Sequence, residues 1–255
     1  MKRKTLQTLA GAAAATALVL SGATAAGAAG GGPTTCSGGD IASGTYASLV
    51  VTGACTVPAG ADVTIRGKLR IGPNAMFDAQ TDSHVVIGSV IAQRGSLFGL
   101  GCTFAHPCND GNPPADGSTH DVVLGSIVLN HVFNAAINGD TIGGNITSNG
   151  GGAGLLDPET DFVPFSIKDN VVDGNITVHN LTTVWFGVIR TQVGGNVTLM
   201  NIHLSDPDGN EYVTDVIGGN LNCRGNDPAP QVGDSEGEAD VVGGHALGQC
   251  AALTG

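Results

Sequence analysis

The chain reads as an all-β protein: a single-domain, right-handed parallel β-helix (a β-solenoid) with disulfide-stapled ends. Three observations point there. A glycine-anchored phrase recurs along the chain, two further columns of turn-forming residues keep register with it, and the composition is rich in glycine (41 residues) but only 4% aromatic, with ten Lys and Arg in 255 residues. Abundant Gly, Val, Asn and Thr with few long basic side chains suits stacked strands and disfavours a helical bundle.

The phrase is clearest as Val193-Gly194-Gly195-Asn196-Val197-Thr198. It returns as Ile142-Gly143-Gly144-Asn145-Ile146-Thr147, Val172-Asp173-Gly174-Asn175-Ile176-Thr177 and Ile217-Gly218-Gly219-Asn220-Leu221-Asn222. Taking the last glycine of each unit as an anchor gives Gly67, Gly88, Gly125, Gly144, Gly174, Gly195, Gly219 and Gly244, and five of the seven intervals lie between 19 and 25 residues. Such a period is a repeat architecture in which each unit buries itself against its neighbours. One coil per interval lets every strand pair in parallel with the strand one coil earlier, satisfying its backbone donors and acceptors. Seven steps of roughly 4.8 Å make about 34 Å of solenoid. Alternation places Val193, Gly195 and Val197 on the inner face and Gly194, Asn196 and Thr198 on the outer one.

Four residues before the anchors stand His84, Asp121, Asp140, Asn170, Thr191, Asp215 and Asp240. Asp, Asn and Thr bond their own backbone at turns, so this column reads as the corner where each strand begins. Six residues after the anchors come Arg94, His131, Gly150, Asn180, Asn201 and Gly225, a second corner.

Along the chain, residues 1–26 read as a secretory signal peptide. Lys2, Arg3 and Lys4 precede the apolar run Leu9 to Leu20, and Ala23-Thr24-Ala25 or Ala26-Gly27-Ala28 offers a cleavage site. The run is short for a bilayer span, so an extracellular protein with no membrane association after cleavage is expected. Residues 27–35 read as a disordered lead, 36–62 as an N-terminal cap, and 63–255 as the β-helix. Loop insertions are expected near 101–118 and 149–164, where the two long intervals fall, with a disulfide cap at the C-terminal end.

Six cysteines in an exported chain read as three disulfides. Spacing suggests Cys36–Cys55, Cys102–Cys108 and Cys223–Cys250, one of the 15 connectivities that six cysteines allow. Losing the three leader cations takes the formal charge from −12 to −15. A surface that acidic excludes nucleic acid as a partner and favours a soluble monomer.

Candidate chemistry is sparse. Lyases and hydrolases of this architecture need clustered carboxylates with a basic partner. The first corner column stacks Asp121 over Asp140 and Asp215 over Asp240, where a shared proton or a cation would relieve repulsion. Lys168 and Arg190 are the only basic residues between Arg94 and Arg224. Asp206, Asp208 and Asn210 alternate like the start of a calcium loop, although Ile217 stands where such a loop needs its bidentate acid. Calcium is the one cofactor the sequence suggests. The seven histidines show no zinc spacing, and Trp185 serves equally as a packing residue or a sugar platform. Asn-x-Thr triplets at Asn145, Asn175, Asn180 and Asn196 follow mostly from the repeat itself.

The C-terminal block runs Ile217-Gly-Gly-Asn-Leu-Asn-Cys223-Arg-Gly-Asn-Asp-Pro-Ala-Pro230, then Val241-Val-Gly-Gly244 and Gly248-Gln-Cys250. It resembles a family of secreted actinobacterial proteins that end in this pattern after Gly-Gly-Asn repeats. The resemblance covers the last forty or so residues closely and the repeats loosely, and the acid-rich segment Asp234 to Asp240 and the Cys102–Cys108 loop depart from it. It implies the fold, export and the Cys223–Cys250 pair, and lends no catalytic residue. The expected function is therefore a secreted, non-enzymatic structural or interaction module for an extracellular ligand such as polysaccharide or cell-wall material. A pectate-lyase-like, carbohydrate-active enzyme or polysaccharide-binding protein, with or without calcium, is the alternative.

Overall fold

The computed structural model describes residues 32–232 and 237–254. The expected signal peptide, the first part of the lead (27–31) and residues 234–236 of the acid-rich stretch lie outside those residues. Within them the chain is a β-solenoid of about nine coils, built from a 17-stranded, an 8-stranded and a 2-stranded sheet, all with parallel pairing.

One coil shows the plan. A short strand, Gln192–Val193, meets a glycine bend and continues as Val197–Met200. The chain turns at Asn201, passes His203–Leu204, crosses back as Asn210–Val213 and turns again at Thr214. The next coil begins at Asp215 and repeats this layout.

The anchors form a single row. Five anchor amides donate to the glycine carbonyl one coil earlier: Gly125 to Gly88 (2.8 Å), Gly174 to Gly144 (3.1 Å), Gly195 to Gly174 (2.9 Å), Gly219 to Gly195 (2.8 Å) and Gly244 to Gly219 (2.8 Å). Their role differs from the one expected. The phrase is two strands broken by a bend, and the anchor glycine does not line the interior between two valines. A Cβ on Gly195 would lie 2.5 Å from Asn175 Oδ1 and 2.7 Å from the Gly174 carbonyl. Glycine is needed because backbone stacks directly on backbone there.

The second corner column is a row of left-handed residues, with positive φ at Gly95, His131, Gly150, Asn180, Asn201 and Gly225. Only its first member moves, from Arg94 to Gly95. The first corner shifts by one residue in five coils. The left-handed positions are His120, Gly139, Asp169, Arg190 and Thr214, so the turn there precedes the Asp/Asn/Thr column, and that column, His84 apart, points into the protein.

The interior is Val, Ile and Leu, with aromatic stacks at Phe77–Phe98 (6.0 Å between ring centres) and Phe165–Phe186–Tyr212 (5.9 and 5.8 Å). Parallel pairing begins ahead of the first glycine anchor. Thr34–Cys36 pairs with Leu49–Val51, which pairs with Asp62–Ile71, so Thr34 and Thr35 of the expected lead and the expected cap already belong to the solenoid. This stretch lacks the glycine phrase, which is why the repeat did not reveal it. The disulfides are Cys36–Cys55, Cys102–Cys108 and Cys223–Cys250, as the spacing suggested. The first and last sit near the two ends of the stack, where terminal coils have a neighbour on one side only.

Candidate functional site

The two insertions bracket strands of the 8-stranded sheet, one at each strand end. The first follows Leu97–Leu100, is pinched by Cys102–Cys108 and is closed by a Thr103–Ser118 bridge. The second joins Ile146–Gly151 to Pro164–Lys168. Between them the structure gathers Lys168 and Arg190 with two residues that the sequence reading missed, His106 and Asp169. Arg190 grips Asp169 through both carboxylate oxygens (Nε–Oδ1 2.6 Å, Nη2–Oδ2 2.9 Å), and its Nη2 lies 3.3 Å from His106 Nε2. The Lys168 ammonium sits 4.4 Å over the Trp185 ring, which is flanked by Phe162 at 6.4 Å. Burial, followed by the positive charge of Lys168, lowers the His106 pKa from 6.5 to about 4 although Asp169 pulls the other way. Near neutral pH the imidazole is uncharged, and its Nε2 is the acceptor for Arg190. Asp169 and Arg190 occupy the same corner position in successive coils, five residues before their anchors, so reading one more column would have paired them.

This constellation fastens the first loop to the coils more than it presents reactive groups. Two nitrogens of Arg190 are committed to Asp169. Trp185 is only 6% exposed and packs with Val184, Ile189 and Val213, so it is a packing residue and offers no open platform to a sugar.

The stacked aspartates are where the column placed them, but in the interior. Asp121, Asp140, Asp215 and Asp240 are all buried. They do not cap their own turns. Asp215 Oδ1 accepts the Thr191 amide (2.7 Å), Asp240 Oδ1 accepts the Asp215 amide (3.0 Å) and Asp121 Oδ1 accepts the Val85 amide (2.7 Å), each one coil back. None is positioned to meet an external substrate. His84, the first member of the column, stays outside against Asp62.

The candidate calcium ligands do not converge either. Asp206 Oδ1 accepts the Asp208 amide in a tight turn, whereas Asn210 is buried and donates to the Pro228 carbonyl. Among the described residues, no group of three or more His, Cys, Asp or Glu could hold a metal ion.

A further outward feature is a trough of about 560 Å³ running along the solenoid axis. Its first wall is an asparagine ladder. The backbone amide and Nδ2 of Asn175 both donate to Asn145 Oδ1 (2.8 and 3.0 Å). Asn196 does the same to Asn175 (2.8 and 3.2 Å), and Asn220 to Asn196 (2.8 and 3.2 Å). The second wall is the registered row Thr147, Thr177, Thr198, Asn222 and Leu247. The triplets that look like glycosylation acceptors are this ladder, apart from Asn180, which belongs to a second one at the corner with Asn149 and Asn201. Four steps of roughly 4.8 Å give the trough a length of about 19 Å. No protein-family model, curated protein or solved structure matches the chain.

Proposed function

We propose that the chain is an exported, non-enzymatic β-solenoid that works as an extracellular binding module, and that the asparagine–threonine trough is its contact surface. The observation that carries this reading is the pinned, uncharged character of the trough on a protein of formal charge −12. Each asparagine is already held by its neighbours, so little side-chain freedom is lost when a ligand docks. The absence of formal charge among the lining side chains favours a neutral, hydroxyl-rich partner such as a linear polysaccharide over a uronan. Thr177 and Thr198 stand in mid-trough, facing outward, and can be changed without touching the core. Native gels containing a neutral β-glucan should retard the protein, gels containing polygalacturonate should not, and Thr177→Glu with Thr198→Glu should weaken the retardation by about tenfold or more. Equal retardation of parent and variant would remove the trough from the reading.

The enzyme alternative draws on Lys168, Arg190, Asp169 and His106 between the loops. It predicts release of reducing ends or unsaturated uronides from a glycan panel, lost in Lys168→Ala or Arg190→Ala. The binding-module reading predicts no turnover by the parent protein, and turnover of any glycan with that pattern of loss would overturn it.

A further inference from the structure

The inward column obeys a hydrogen-bond grammar that its neutral members make visible. Asn170 Oδ1 accepts the Asp140 amide one coil back (2.9 Å) while its Nδ2 donates to the Ile137 carbonyl (2.8 Å). Thr191 Oγ1 lies 3.5 Å from the Asn170 amide, and its hydroxyl donates between the Ile167 carbonyl one coil back (3.3 Å) and the Ile189 carbonyl of its own coil (3.2 Å). Ile137 and Ile167 hold equivalent positions in paired strands, and the same register continues through Val188 to Tyr212. Each position therefore asks for one acceptor and one donor. Asp215 and Asp240 meet the first demand through Oδ1, and the donor demand in their coils falls on the Val188 and Tyr212 carbonyls. An ionised carboxylate has no hydrogen to offer. The cost shows as buried oxygens with no partner: Asp121 Oδ2, both oxygens of Asp140, and Asp240 Oδ2.

We propose that each stacked pair, Asp121–Asp140 and Asp215–Asp240, is held in the folded solenoid by protons, its carboxyls carried as neutral acids whose O–H groups take the donor role that Asn170 and Thr191 fill in the coils between them. The surroundings agree. The charged or titratable groups acting on these carboxyls are His84 on Asp121, Asp121 on Asp140, and Asp240, Arg190 and Asp169 on Asp215, while Asp240 receives the Asp215 backbone amide. Burial is the largest influence on all four, with the partner aspartate next for Asp140 and Asp215. It raises Asp121 and Asp240 from 3.8 to about 7 and lifts Asp140 and Asp215 well above the usual carboxylate range. The folded chain keeps these protons where the unfolded chain has released them. Unfolding then expels protons, and stability falls as pH rises from about 4 to about 7, levelling off above the folded pKa values.

Carbon NMR of the full chain labelled at aspartate carboxyls tests this directly. At about pH 6 the four column carboxyls should resonate as acids. In urea titrations the unfolding constant should rise by up to about tenfold per pH unit for each retained proton. The Asp215→Asn, Asp240→Asn double variant, which supplies an amide donor at both positions, should remove much of that rise. Four ionised column carboxyls at about pH 6, or an unfolding constant flat across the range, would overturn the proposal. Stability at alkaline pH that depends on added calcium and is lost to chelator would put a cation in the protons' place, which also overturns it.

Discussion

Phe186→Ala is expected to destabilise the protein by roughly 3–5 kcal/mol. Phe186 is fully buried and lies between Phe165 and Tyr212, with ring centres at 5.9 and 5.8 Å. Removing it loses the transfer free energy of the ring and two edge-to-face contacts worth about 0.5–1.5 kcal/mol each. The interior also cannot close over the gap. Coil spacing is set by backbone bonds such as Phe186 N–H to the Gly209 carbonyl (2.9 Å), so the walls stay apart and the cavity persists. Denaturant unfolding of the variant against Phe162→Ala is the measurement. Phe162 is 54% exposed, and its loss should change stability by no more than about 0.5 kcal/mol. Similar losses in both variants would mean that the aromatic stack is not what holds these coils.

Gly195→Val should cost roughly 3 kcal/mol and loosen the coils on both sides of it. Its Cβ would fall inside contact distance of both Asn175 Oδ1 and the Gly174 carbonyl. The carbonyl cannot retreat without breaking the 2.9 Å bond it accepts from the Gly195 amide, and moving Asn175 disturbs the ladder that Asn196 grips. Amide exchange should therefore accelerate at Gly195, Asn196 and Gly219 together. Gly154→Ala is the comparison. Gly154 has φ +88° and nothing within 4 Å of a built Cβ, so its substitution carries only the strain of a left-handed alanine, about 1–2 kcal/mol. A Gly195→Val protein that unfolds like the parent would contradict direct backbone stacking at the anchors.

Much of the architecture was legible because stacking leaves a one-dimensional trace. A residue that must avoid a carbonyl in the coil below recurs once per coil, and so does a left-handed corner, which is why the anchors and the Gly/Asn column aligned before any coordinates. The disulfides are the set that spacing suggested out of 15 open connectivities. The asparagine ladder was equally open to reading at the positions one and three residues after each anchor, though it was seen only as part of the repeat. Direction was harder. Asp121, Asp140, Asp215 and Asp240 read as the corner itself, whereas the turn occupies the residue before them, and that shift of one position sends their side chains inside.

By itself, the sequence determined the solenoid, its period and the row of glycines. Those depend on contacts between equivalent positions of neighbouring coils, and equivalence is written in the spacing. Only the tertiary structure decided that the acid column faces inward, that Asn210 leaves Asp206 and Asp208, and that His106 reaches Asp169 and Arg190. Each of these depends on where an irregular loop or a single corner dihedral sends a side chain, and no periodic signal carries that information.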